Sequence, residues 1–179
     1  MKYLFNPFIR IAGLRSLLLG WTAMLLTAAI AYFSHCHFDG VLDAHVGPGG
    51  EPAWVYLLEP ALSWSCAVIV FYIAAVAVAP SGVRFIDIAG TMALSRWPML
   101  FVALLCFIPA PLPEEPSKIR PSLIFLGLAM LVFAIWMIAL MYNAYSVSSG
   151  AKGTKRLVSF IIALVVAEAL SKVLYYLLF

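Results

Sequence analysis

The chain has 179 residues, 65% of them hydrophobic and only 11% charged, with a formal net charge of +3. A water-soluble domain is about 45–50% apolar and about 25% charged, so a mean hydropathy of +1.04 excludes a soluble globular protein and makes lipid the solvent. The basic residues gather at the ends of apolar runs and form no stripe, which excludes nucleic acid as a partner.

In chain order, Tyr3 to Leu14 comes first. It places Phe5, Phe8, Ile9 and Ala12 at helical spacing beside Lys2 and Arg10, the pattern of a short helix lying in the membrane interface. Span one runs from about Leu17 to Phe33. Its tail, Ala29-Ile30-Ala31, has the form of a signal-peptidase site, but the run is read as a retained span. Span two runs from about Val55 to Ala79 and stops at Pro80-Ser81-Gly82. Span three, Phe85 to Ala110, is interrupted by Arg96 and Pro98, and proline cannot donate to the helical ladder. Phe85–Ser95 is therefore expected to be an interfacial or tilted half-helix that bends at Trp97-Pro98 into the crossing portion. Arg96 would then snorkel to the cytoplasmic interface. A stiff connection follows, with prolines at 109, 111, 113, 116 and 121. Span four runs from about Ser122 to Tyr142, and span five from about Leu157 to Phe179. Each is long enough for a hydrocarbon core about 30 Å thick.

The expected fold is all-α: a polytopic transmembrane bundle of five helices with a short N-terminal interfacial helix, forming one domain over residues 1–179. Orientation follows from the positive-inside rule. Lys2, Arg10, Arg15, Arg84, Arg96, Lys152, Lys155 and Arg156 fall on one side, against Lys118 and Arg120 on the other. This predicts a cytoplasmic N-terminus and an outside C-terminus. Cys36, Cys66 and Cys106 are widely spaced, and an odd number argues against a disulfide framework.

Several motifs carry a resemblance. They are Asn6-Pro7-Phe8 before a basic interfacial segment, the stretch from Asp87 to Pro98 leading into span three, and Tyr142-Asn143-Ala144-Tyr145 ending span four. With five spans, the chain resembles bacterial members of the Yip-domain family, named for membrane proteins that interact with Rab-type GTPases in eukaryotes. The resemblance covers nearly the whole chain and implies the fold, the class and a place in a bacterial inner membrane, with no settled biochemical activity. Asp87-Ile88-Ala89-Gly90 is similar to the eukaryotic Asp-Leu-x-Gly element. It lacks the following proline and comes after span two, so the resemblance implies no GTPase binding here.

Two polar constellations stand out. The first outer loop, Ser34 to Trp54, holds all three histidines and no Lys or Arg. Within it His37, Asp39, Asp43 and His45 combine imidazole and carboxylate, the ligand chemistry of zinc and similar divalent metals. The alternative is a loop held together by an Asp39-Gly40 turn and a carboxylate cap. The second constellation is Glu59, Glu168 and Lys172, ionisable residues inside spans. Glu59 lies roughly 6 Å below the outer edge, and Lys172 roughly 23 Å along a core of about 30 Å from the inner side. The two thus share a depth, and Glu168 sits one turn before Lys172. This predicts a polar clamp between spans two and five, or else an ion or proton site.

No GxSxG, HExxH or Walker loop is present, so no enzyme is expected. The expected function is that of a non-enzymatic membrane protein that organises membrane or partner proteins. Its partners would be the lipid bilayer, a second copy of the chain or other membrane proteins. A small carrier or channel for an ion, metal or lipid using Glu59, Glu168 and Lys172 is the second reading. A metal-dependent enzyme at the His/Asp loop is the third.

Overall fold

Inside a hydrocarbon core every backbone N–H and C=O must find its partner within the protein, and a helix meets that demand alone. The computed structural model describes residues 2–108 and 121–178, and helices dominate it. They are α1 (Lys2–Phe5), α2 (Gly13–Ser34), α3 (Ala53–Val78), α4 (Phe85–Ser95), α5 (Met99–Leu105), α6 (Pro121–Ser149) and α7 (Gly153–Leu178). A 3-10 turn, Pro7–Ile9, follows α1. A two-residue antiparallel pairing, β1 (Cys36–His37) with β2 (His45–Val46), lies between α2 and α3. Among the described residues five stretches are long and apolar enough to cross a bilayer: α2, α3, α4 with α5, α6 and α7. The chain is an integral, multi-pass membrane protein of helical class. The proline-rich connection, with Lys118 and Arg120, lies outside the described residues.

The N-terminal segment departs from expectation. Pro7 cannot donate within a helix, so the single helix expected over Tyr3 to Leu14 is instead α1 and the 3-10 turn. Phe8 is buried. The segment is pinned to α6, whose Trp136 indole donates to the Leu4 carbonyl at 3.3 Å and whose Asn143 amide donates to the Phe5 carbonyl at 2.9 Å.

Span three breaks where Pro98 predicts, with α4 ending at Ser95 and α5 starting at Met99. Its first half, however, is packed inside the bundle. Helices α2 and α4 approach so closely that a Cβ on Gly20 would stand 2.4 Å from the Leu94 nitrogen, and one on Gly90 would stand 2.4 Å from the Gly13 carbonyl oxygen. Small residues permit such backbone contact between membrane helices. The expected interfacial half-helix is thereby corrected. So is the snorkelling Arg96, which is 4% exposed and belongs to the interior.

The middle of the bundle is apolar and filled. Phe71 lies at 5.5 Å, ring to ring, from both Tyr145 and Phe160, beside fully buried Met137 and Leu140. At the end remote from the hairpin, Arg156 donates to the Tyr142 hydroxyl and the Ser146 hydroxyl, each at 2.8 Å.

Replacing Gly20 by Leu should lower the thermal unfolding midpoint in detergent, at a cost of about 1–3 kcal/mol or more from overpacking. Gly127, with nothing within 4 Å of an added Cβ, should accept Ala without loss. Equal midpoints for the Gly20 variant and the parent would refute the close α2–α4 contact.

Candidate functional site

Helix α2 ends when His35 takes left-handed backbone angles, φ 54° and ψ 34°, and turns the chain back on itself. The Gly47 N–H closes the far side of the loop on the His35 carbonyl at 2.8 Å. Between these points residues 36–46 re-enter the end of the bundle as a plug. Cys36, Phe38 and Val41 are buried. Non-helical backbone is tolerated at that depth only where protein side chains satisfy it.

The ionisable residues of the spans supply those partners. Glu59 of α3, 1% exposed, accepts the Phe38 N–H at 2.8 Å and the His37 Nδ1–H at 2.7 Å. The Tyr175 hydroxyl of α7 stands 3.4 Å from the same carboxylate. The peptide unit joining Val41 and Leu42 is held at both ends. Its N–H donates to Glu168 at 2.8 Å, and its carbonyl accepts from Arg96 Nη1 at 3.3 Å. An anion thus faces the positive end of that peptide dipole and a cation faces the negative end. Gly40 lies against it, and a Cβ there would stand 2.5 Å from Glu168 Oε1 and push that carboxylate aside.

Lys172 of α7 fastens the rim. Its ammonium donates to Asp39 Oδ2 at 2.9 Å and to Asp43 Oδ2. Burial alone would raise the Asp43 carboxyl, but the Lys172 hydrogen bond and charge outweigh it and hold the carboxyl below its ordinary value. The β1–β2 register sets His37 opposite His45. As cross-strand neighbours their rings stack with centroids 5.6 Å apart. His45 Nδ1 lies 3.6 Å from Asp39 Oδ1. The buried Cys36 thiol of β1 has Cys106 as its neighbour, and that neighbour, with burial, pushes its pKa up. Both thiols are free.

The expected constellations are rearranged by this geometry. Glu59, Glu168 and Lys172 all reach one loop, but Lys172 takes Asp39 and Asp43 as its carboxylates, in place of the expected direct clamp with Glu59 and Glu168. Of the four residues expected around a metal, Asp39, Asp43 and His45 bring ligand atoms within 4.8 Å of one another. His37 instead commits its Nδ1 to Glu59. Asp39, Asp43 and His45 are thus the described residues best arranged for a divalent ion, and Lys172 already supplies a positive charge to both aspartates.

Sequence reasoning missed Arg96 as a buried partner of the loop, although an arginine inside an apolar run was itself a signal. It also missed the His37–Glu59 pair, which no sequence spacing reveals. A cavity of about 640 Å³ opens beside the hairpin, lined in part by His37, His45, Glu51, Trp54 and Tyr175. No family model matches the chain, and no curated protein or solved structure matches it either.

Two outcomes follow. In double-mutant cycles on unfolding, Lys172→Met and Asp43→Asn should couple by about 0.2–1 kcal/mol, the scale of a partly exposed pair. Lys172→Met and Glu168→Gln should be nearly additive, and the reverse pattern would restore the direct clamp. Because the Asp43 carboxyl sits lower in the folded chain than in the unfolded one, its pairing contributes stability above the ordinary value of 3.8 and loses it as pH falls below. Asp43→Asn should flatten that acid loss.

A third outcome concerns metal. Lys172→Met leaves Asp39, Asp43 and His45 without their resident cation, so added zinc should raise the unfolding midpoint of this variant more than that of the parent. An equal shift in both proteins would mean that Lys172 does not stand in the cation's place.

Proposed function

We propose that the chain is a non-enzymatic organiser of membrane or partner proteins, working through the plugged end of its bundle. One observation carries this reading. The ionisable groups that the carrier reading relies on, Glu59, Glu168 and Lys172, are all engaged with the backbone or side chains of residues 37–43. The apolar middle of the bundle is filled by Phe71, Met137, Leu140 and Tyr145, which supports a rigid body over a conduit. The resemblance to the Yip-domain family supports the same class of role.

The resemblance supports a place in a bacterial inner membrane, and the Lys/Arg asymmetry supports an N-terminus in the cytoplasm with the plug outside. Reporter fusions after Ser149 should then read as cytoplasmic, and fusions after Glu114 as outside.

Reconstituted into liposomes, the protein should conduct protons, potassium or zinc no faster than empty vesicles. A flux that appears with the parent and disappears with Glu168→Gln would replace the organiser with a carrier built on these same residues.

A further inference from the structure

Two depressions meet at Trp54, the first exposed residue of the α3 face that looks toward α7. The first is the cavity of about 640 Å³ beside the hairpin, with Glu51, Trp54, Tyr175 and Tyr176 among its walls. The second is an apolar groove of about 290 Å³ formed by Trp54, Leu58, Ala61, Leu62 and Ser65 of α3, with Leu178 of α7 at its side. The groove follows a single helical face. From Trp54 to Ser65 it extends about 16 Å at 1.5 Å per residue, close to half of a hydrocarbon core about 30 Å thick. A chamber of mixed polar and aromatic lining thus continues into an apolar groove about one leaflet long. That is the shape of an amphiphile.

Charge selects among amphiphiles. Between Ser34 and Trp54 the chain has no Lys or Arg. Glu51 is the carboxylate among the cavity's walls, and Lys172 is engaged at the rim with Asp39 and Asp43. An anionic headgroup would meet Glu51 without a lysine or arginine on the walls to offset it. An ammonium would meet that carboxylate among the aromatic side chains of Trp54, Tyr175 and Tyr176, residue types that favour organic cations. The bilayer is also the one reservoir in which an amphiphile always stands beside α3 and α7.

We propose that this two-part depression binds one phospholipid with an amine-bearing headgroup, its ammonium beside Glu51, Trp54, Tyr175 and Tyr176 and one acyl chain along α3 from Leu58 to Ser65. The site is independent of the organiser reading, since a carrier of the same fold would hold the same lipid.

The test uses the full chain, purified in detergent and offered phosphatidylethanolamine, phosphatidylglycerol or water-soluble glycerophosphoethanolamine, with bound lipid counted by native mass spectrometry. Phosphatidylethanolamine should be retained about fivefold over phosphatidylglycerol, the scale of one exposed charge contact plus one cation–π contact. Glu51 is exposed and lies two residues before α3, so Glu51→Gln should fold normally and bring the two lipids to near-equal retention. Ala61→Trp should fill the groove and lower retention of both. Equal retention of the two lipids by the parent, or a preference that survives Glu51→Gln, would overturn the headgroup assignment. Competition by glycerophosphoethanolamine as strong as that by the lipid would remove the groove from the site.

Discussion

A stretch of chain that leaves the helical conformation inside a membrane protein exposes peptide groups that water cannot reach, at a cost of several kcal/mol for each one left unpaired. Residues 36–46 face that constraint, and much of the polar chemistry of the spans answers it. Glu59 takes the Phe38 N–H, Glu168 takes the Leu42 N–H, and Arg96 holds the Val41 carbonyl. Charge-assisted hydrogen bonds are about twice as strong as neutral ones, which suits full charges to holding a loop no ladder supports. The spans carry ionisable residues because the loop is folded into them.

The charge balance follows the same logic. Asp39, Asp43, Glu59 and Glu168 place four carboxylates at this end, against the permanent cations Arg96 and Lys172. The two imidazoles fall where the cations leave room, His37 on Glu59 and His45 near Asp39. Removing one partner from such a network strands another group in poor solvent, so its members act together more than singly. The apolar middle, by contrast, depends on shape. Phe71, Tyr145 and Phe160 interlock, and Gly20 and Gly90 let α2 and α4 touch along their backbones.

Much of this architecture was legible in the sequence. Hydropathy located the spans to within a few residues for α2 and α3, because lipid imposes length and composition together. Pro98 placed the break between α4 and α5 through its missing N–H. Depth arithmetic correctly singled out Glu59, Glu168 and Lys172 as residues of one end. What it could not supply was the third body in the arrangement. A loop that folds inward has no periodicity, and its demand for backbone partners becomes visible only when Phe38 and Val41 are seen buried. For that reason Arg96 was assigned to the cytoplasmic interface in place of the interior, and Lys172 was clamped with Glu59 and Glu168 in place of the aspartates of the loop.

The peptide unit between Val41 and Leu42 also imposes an order of assembly. The loop is made early, immediately after the first spanning helix, and Glu59 follows with the second. Arg96 comes only with the third. Glu168 and Lys172 lie 126 and 133 residues beyond their partners Leu42 and Asp39. During synthesis, which proceeds from the N-terminus, the plug therefore waits half-fastened while the intervening helices are inserted. The fifth of the described spans, α7, closes it, and a chain stalled before that point would display an unlatched hairpin at its surface.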